Sequence, residues 1–233
     1  MGKRIDGRGE GTLRHLACEL SCLHQADGSA LWKSGSTHVL AAVYGPIAPL
    51  NMTNEKGDKA IVSLVLKSGE ILESGAEYKQ FLTQILSSAI DTKQYPRTVI
   101  EIVLQVIQSD GSLVSSLLHA SVAALVDSGV DMLYLPVATT CLIRNQREGS
   151  RILLDPVSSE EEEEELNSVI VLVNEASNPS KILASHTVGA GISLERFLSC
   201  QQVASRACEA IPAFWRLAIE QKVTREAHTL WTT

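Results

Sequence analysis

Residues 25–46 read Gln-Ala-Asp-Gly-Ser-Ala-Leu-Trp-Lys-Ser-Gly-Ser-Thr-His-Val-Leu-Ala-Ala-Val-Tyr-Gly-Pro. Asp27-Gly28 supplies a turn, Ser29 to Lys33 follows as a short strand, and Gly35-Ser36 marks a second turn. His38 to Tyr44 is then an apolar run closed by Gly45-Pro46. Short strands punctuated by turn residues at this spacing predict antiparallel β-structure. The pattern extends outward in both directions. Upstream, Arg14 to Leu23 partly alternates; downstream, Asn51 to Lys59 is polar and reads as a loop, and Ala60 to Lys67 alternates again.

Beyond this the period changes. From Glu77 to Ile90 the apolar residues Tyr78, Phe81, Leu82, Ile85, Leu86 and Ala89 recur at steps of three and four, which predicts an amphipathic helix. Thr98 to Ile107 is rich in β-branched residues and too apolar for a surface strand. After Ser109-Asp110-Gly111-Ser112, Leu113 to Val126 reads as a helix with so few charges that it must be buried on most sides; Asp127-Ser128-Gly129 closes it. Strands return at Pro136 to Arg144 and Arg151 to Leu154, joined by Gln146 to Ser150, and again at Ser168 to Val173 and Lys181 to Val188. Ser193 is positioned to cap a helix reaching about Ile211. Pro212 should kink or break it, and a second helical piece reaches about Glu226. Strands, helix, strand, helix, strands, helix is an α+β order rather than a regular βαβ array. One domain over residues 1–233 is expected, with flexible ends at about 1–8 and 227–233.

Composition narrows the function classes. The chain has 233 residues, 45% of them hydrophobic and 20% charged, which suits a soluble globular protein. No apolar stretch is long enough to span a bilayer, and Met1 to Gly11 lacks an apolar targeting segment, so an intracellular protein with no membrane partner is expected. Five cysteines without a CxxC pair argue against a disulfide framework and a structural zinc site; Cys18 and Cys22, four apart in a strand, should both face the core. The net charge is −7, but Glu160 to Glu165 carry six negative charges, and without them the chain is near −1. Local basic patches therefore remain compatible with nucleic-acid binding. The six histidines show no HxxxH or HExxH spacing and no GxSxG is present, which leaves metalloprotease and serine-hydrolase readings without support.

Several short segments carry a resemblance. Asp6-Gly7-Arg8 followed by Arg14, Ala26-Asp27-Gly28-Ser29-Ala30, then Gly35, Thr37 and Val39 to Pro46, Tyr95-Pro96-Arg97-Thr98, Gln108-Ser109-Asp110-Gly111 running into a helix, and Leu154-Asp155-Pro156 before an acidic stretch stand in the order found in the RNase PH superfamily. They cover roughly residues 5 to 200. The chain most resembles that family's members in the ring of the eukaryotic RNA exosome. The resemblance implies an α+β RNase PH-like fold (ribosomal protein S5 domain 2-like) with duplicated β-α halves. It implies partners that are other RNase PH-like exosome subunits, closed into a ring around a channel for single-stranded RNA, in the nucleus and nucleolus and also the cytoplasm. Active members cleave from the 3′ end with inorganic phosphate as co-substrate and nucleophile, and no other cofactor is required.

The resemblance also assigns site residues. The phosphate cradle would be the turn Asp110-Gly111-Ser112 at a helix N-terminus, where free N–H groups and the helix dipole suit an anion. Gly111, Ser112 and Ser115, with Arg97, are the candidate phosphate-binding residues. The family's Ser/Thr and Arg at the next two positions are here Leu113 and Val114, so the guanidinium is missing. Loss of such a charge-assisted hydrogen bond costs about 1.5–3 kcal/mol. The family's two aspartates beyond Leu-Asp-Pro would fall on Glu160 or Glu161 and near Asn167, and an Asn supplies neither a base nor a charge to a metal. Glu160, Glu161 and Asn167 are thus the candidate, degenerate catalytic residues. Glu160 and Glu161 could hold Mg²⁺ with waters, or the run could be an exposed acidic loop. Lys79, Gln80 and Arg97 are the candidate RNA contacts, of a kind that neutralises phosphates without reading sequence. Three functional readings follow: an RNA-binding ring subunit with a degraded phosphorolytic site; an independently active homodimeric nuclease, phosphate-dependent or metal-dependent, acting on RNA or DNA; and a scaffold that binds no RNA.

Overall fold

The computed structural model describes residues 4, 6–49, 57–67, 75–146, 149–162 and 167–231. Strands β1 (Leu16–Leu20), β2 (Gly28–Ser34), β3 (Thr37–Ile47), β4 (Ile61–Lys67) and β5 (Val99–Gln108) form one sheet in the order β1-β2-β3-β5-β4. Strands β6 (Pro136–Gln146), β7 (Gly149–Leu154), β8 (Ser168–Glu175) and β9 (Asn178–Gly189) form a second, in the order β7-β6-β8-β9. Helix α1 (Gly75–Ala89) connects β4 to β5, and α2 (Leu113–Ser128) leads from the first sheet to the second. A short helix, α3 (Ser158–Glu162), follows β7, and α4 (Leu194–Cys208) and α5 (Ala210–Trp231) close the chain.

The opening hairpin forms as its turn residues predict. Antiparallel pairing sets Ala30 opposite Ala41 and Trp32 opposite Val39. Inward-facing Trp32, Val39, Ala41 and Val43 are all fully buried. Gly28 is required where β2 crosses α2: a Cβ there would lie 2.4 Å from the Ala124 carbonyl oxygen and the Ser128 nitrogen. The β4–β5 pair is parallel, with Ile61 opposite Val99, so β4-α1-β5 is one βαβ unit inside an otherwise antiparallel architecture.

Helix α2 is the centre of the molecule. It packs on β2 and β3 of the first sheet and on β6 of the second, and every residue from Val114 to Leu125 is buried. That is why its sequence shows so few charges. Beneath it, Trp32, His119, Phe214 and Trp215 form an aromatic cluster with Trp32–His119 centroids 5.1 Å apart. His119 Nε2 accepts the Ala138 N–H at 3.2 Å, and burial pushes the imidazole pKa down to about 4. It is a neutral core side chain. The second sheet is covered on both faces: Val171 and Val173 join the main core, whereas Ile170 and Leu172 join a smaller one with Cys141 of β6 and with Cys200 and Ala204 of α4. Strand β8 is accordingly apolar at both parities.

Three local expectations are corrected. Cys22 does not share a strand face with Cys18. Strand β1 ends at Leu20, Ser21 turns the chain at φ 55°, and the half-buried Cys22 donates its S–H to the Glu19 carbonyl at 2.9 Å. Cys18 is partly buried and burial pushes its thiol up to about 12, so it stays protonated and unreactive. The last helix breaks before Pro212, not at it. Proline at 212 has no N–H for the Cys208 carbonyl and its ring clashes with that carbonyl, so α4 stops at Cys208 and Pro212 falls in the first turn of α5. Ser193 does precede α4, but its side chain makes no capping bond.

Candidate active site

The turn that opens α2 is built by Arg14 and Thr37. The Thr37 hydroxyl donates to the Gly111 carbonyl at 2.9 Å and accepts the Asp110 N–H at 3.0 Å. Arg14, only 6% exposed, donates to the Asp110 and Gly111 carbonyls and to Asp155, whose carboxylate it meets at 2.7 Å. Asp155 also accepts the Arg14 backbone N–H at 2.9 Å. Burial by itself raises the Asp155 pKa, but these bonds and the guanidinium charge outweigh it and hold the carboxyl below its ordinary value. The two sequence landmarks, Arg14 and the Leu-Asp-Pro aspartate, are thus partners that tie the sheets together around the α2 N-terminus.

The backbone there has the shape of an anion cradle. Gly111 and Ser112 both take positive φ, 74° and 49°, before the helix begins. Its contents differ from expectation. The Ser112 N–H donates to the Glu161 carboxylate at 2.9 Å, so a carboxylate of the chain itself stands where a phosphate oxygen would be held. The serine hydroxyls are engaged elsewhere: Ser112 donates to the Pro156 carbonyl, and Ser115 and Ser116 both donate to the Ser112 carbonyl. In the first turn of a buried helix the backbone carbonyl is the nearer acceptor for such hydroxyls.

The acidic run is not an exposed loop in its described part. Ser158–Glu162 is helical, and Glu160 is 2% exposed. Arg4 donates to both Glu160 oxygens, at 3.0 and 2.6 Å, and to the carbonyls of Leu154 and Asp155. Burial raises the Glu160 pKa, and the Arg4 bonds more than reverse this. Arg4 thus anchors part of the N-terminal segment expected to be flexible. Asn167 is buried, its Nδ2 reaching only the Glu160 carbonyl at 3.5 Å. Glu160 and Asn167 therefore serve the framework. Both Glu160 oxygens accept from Arg4, and among the described residues no three of His, Cys, Asp or Glu come together as a metal-holding group. Glu163 to Glu165 lie outside the described residues.

Glu161 is in a different state from its neighbour. Burial pushes its pKa up, the nearby Asp155 and Asp110 carboxylates add to this, and the Ser112 N–H and Arg14 only partly oppose it. A carboxyl that holds its proton more tightly when folded loses stability as pH rises from the ordinary value of 4.5 through the raised one. Glu161→Gln, which keeps an acceptor for the Ser112 N–H, is expected to be unchanged to about 1 kcal/mol more stable at pH 7. Urea titrations at pH 5 and pH 7 should show a smaller pH dependence than in the parent.

Beside this contact lies a cavity of about 250 Å³ bounded by α1, the α2 start, α3 and the second sheet. Tyr78, Val171, His186, Val188, Glu161 and Glu162 are among its walls. Tyr78 and His186, which the sequence marks only as a core-face residue and a scattered histidine, meet edge to face at 5.9 Å. Neighbouring residues on α1 face elsewhere: Lys79 and Gln80 line a separate groove along the exposed side of that helix. Arg97 is exposed, at φ 59°, just before β5. The Gly111 turn follows the other end of β5, so about 30 Å of strand separates them. Arg97 and the Gly111 turn thus stand at opposite ends of β5.

Known proteins were compared with this geometry. The family model described as "3' exoribonuclease family, domain 1" matches residues 12–131. The exosome complex exonuclease RRP46 homolog of Arabidopsis thaliana is 33% identical over 95% of this chain and 98% of its own length. The crystal structure of rice (Oryza sativa) Rrp46 superposes with a TM-score of 0.82 at 34% identity, over 91% of this chain and 98% of that one. An archaeal exosome core subunit shares the fold, with a TM-score of 0.75 at 19% identity over 92% of this chain and 91% of its own.

Proposed function

This chain belongs to the 3′ exoribonuclease family of RNase PH type, and from that premise we propose that it is an RNA-binding ring subunit of an exosome whose own phosphorolytic centre is closed. The observation that carries the second half is the Glu161 carboxylate on the Ser112 N–H. Phosphate is the family's co-substrate, and it would have to displace the Glu161 carboxyl from a helix start that carries Leu113 and Val114 instead of a hydroxyl and a guanidinium. The alternative metal-dependent nuclease has no support from Glu160, whose oxygens are both taken by Arg4.

Assembly is supported by the sheet edge. Strand β9 is twelve residues long and stands at the edge of the second sheet, with Ile182 and Val188 exposed beside Leu194 and Leu198 of α4. A sheet edge of this length offers unpaired backbone groups to another chain, and the apolar side chains exposed on and near it favour a covering partner. The partner we propose is another RNase PH-like subunit; a homodimer is the form such an edge would give in isolation. Nuclear, nucleolar and cytoplasmic residence goes with this role.

The test is a cleavage and binding assay on 5′-labelled single-stranded RNA, with and without phosphate and Mg²⁺. We expect RNA to bind and no nucleoside diphosphate to be released; rapid phosphate-dependent release would overturn the closed-site reading. Lys79→Glu with Arg97→Glu should weaken binding uniformly across sequences. The slope of log K against log salt should fall by about 0.7 for each RNA phosphate that is no longer neutralised. Unaltered affinity and slope would assign the RNA path to other residues.

A further inference from the structure

Helix α4 is seated on the second sheet by a slight stripe. Its buried residues are Cys200, Ala204, Ala207 and Cys208, with Phe197 and Val203 partly buried beside them. Its two leucines, Leu194 and Leu198, are exposed. Small side chains remove little apolar area from water, so lifting α4 off β6 is a cheap local opening. A pair of thiols lies under that stripe. Cys141, at the centre of β6, and Cys200, in the middle of α4, are 59 positions apart in the chain, and both are fully buried. The Cys141 S–H points to the Cys200 carbonyl at 4.0 Å, and the two thiols also hydrogen-bond each other. That bond holds the Cys141 proton in place, and burial adds to the effect. Accepting it favours the Cys200 thiolate and, against burial, lowers the Cys200 pKa from the ordinary 9. Cys208, on the same helix, behaves otherwise: burial and the Glu209 charge push its thiol up to about 11.

We propose that Cys141 and Cys200 are a reversible disulfide site, oxidised by a peroxide, and that the bond pins α4 to β6. Opening of α4 bares both sulfurs in one movement. The Cys200 sulfur attacks one oxygen of hydrogen peroxide and the O–O bond breaks; the other oxygen leaves as water with the Cys200 proton. The Cys141 sulfur then attacks the resulting sulfenic sulfur, and its proton joins the departing hydroxyl as a second water. Two S–H groups and one peroxide thus give one S–S bond and two waters, with two electrons passing from sulfur to oxygen. Exchange with a small-molecule thiol restores both S–H groups. Cys200 is the attacking sulfur because its neighbour's hydrogen bond favours its thiolate, and reclosure of α4 brings Cys141 back onto it. The bond closes a long loop and so restricts mainly the unfolded chain. It also ties down the helix whose exposed Leu194 and Leu198 stand beside the β9 edge.

The test treats the whole reduced chain with hydrogen peroxide, raised to the level that oxidises the half-buried Cys22. Remaining thiols are alkylated under denaturing conditions, and peptides are mapped by mass spectrometry without reduction. One cross-linked Cys141–Cys200 peptide is expected, with Cys18 and Cys208 alkylated. No cross-link, or a link between another pair, overturns the proposal. The oxidised chain should unfold roughly 5–10 °C above the reduced one, and dithiothreitol should reverse the shift. Hydrogen exchange at the α4 amides should slow in the oxidised form. A link that forms without either effect overturns the pinning of α4. Cys200→Ala places one more small side chain in a stripe that already holds Ala204 and Ala207, and should lose the link and the shift together. A shift that survives in this variant belongs to another bond and sinks the assignment. The peptide map of the parent decides the site even if the variant does not fold.

Discussion

Arg14→Met should cost about 3–5 kcal/mol of folding stability, because it leaves the Asp155 carboxylate buried without its cation. Asp155 is 6% exposed and has the Arg14 guanidinium on one oxygen at 2.7 Å. The same guanidinium satisfies the Asp110 and Gly111 carbonyls, so the substitution also strands two backbone acceptors at the start of α2. Adding Asp155→Asn, which suits the left-handed φ of 52° at that position, removes the orphaned charge and should recover part of the loss. Urea denaturation of the two single variants and the double variant checks this; strictly additive losses would mean that the pair is not coupled. The pH dependence has a defined sign. Since the folded Asp155 pKa lies below the ordinary 3.8, the pair's contribution is complete above that value and is lost as pH falls through the folded pKa. Arg14→Met should be less sensitive than the parent in that acid window.

Gly111→Ala should cost about 2–5 kcal/mol, the sum of a backbone term and a packing term. At φ +74° an alanine is strained by itself. Its Cβ would further lie 2.5 Å from the Pro156 oxygen and 2.7 Å from the Ser158 nitrogen and Val157 carbonyl carbon, all main-chain atoms at the start of α3. Gly129 offers a matched control: φ is +73°, but nothing lies within 4 Å of the added Cβ. Gly129→Ala should therefore show only the backbone strain, about 1–2 kcal/mol. The difference between the two measures how firmly α3 is seated on the Gly111 turn. If Gly111→Ala is tolerated, it can only be because α3 has shifted, and the hydrogen bond from Ser112 to Glu161 should then break. Equal costs at the two glycines would show that α3 does not press on the turn.

The candidate site was legible unevenly. The Gly111-Ser112 turn, the buried helix after it and the absence of a guanidinium at Leu113 and Val114 all follow from adjacent residues. What fills the turn does not: Glu161 reaches Ser112 across 49 positions, and Arg4 reaches Glu160 across 156. An acidic run has the same composition whether it is solvated or folded onto a distant arginine, so its reading as an exposed loop could be corrected only by the pairing itself. Similarly, Tyr78 is one of six apolar positions on a helix face and His186 one of six histidines. Neither carries a mark of the cavity they share.

The sequence by itself determined what depends on short-range geometry: the hairpin from 25 to 46, the helical periods of α1 and α2, the α+β order and, through ordered short motifs, the family. Each rests on turn chemistry or side-chain period within a few residues, which no distant segment had to supply. Tertiary structure alone decided that β4 and β5 run parallel, that Glu160 pairs with Arg4 while Glu161 accepts the Ser112 N–H, and that Arg97 and the Gly111 turn stand at opposite ends of β5. These are distances between segments remote in the chain. They are set by how two sheets close on α2, and burial then determines whether a carboxylate is paired, capped or exposed.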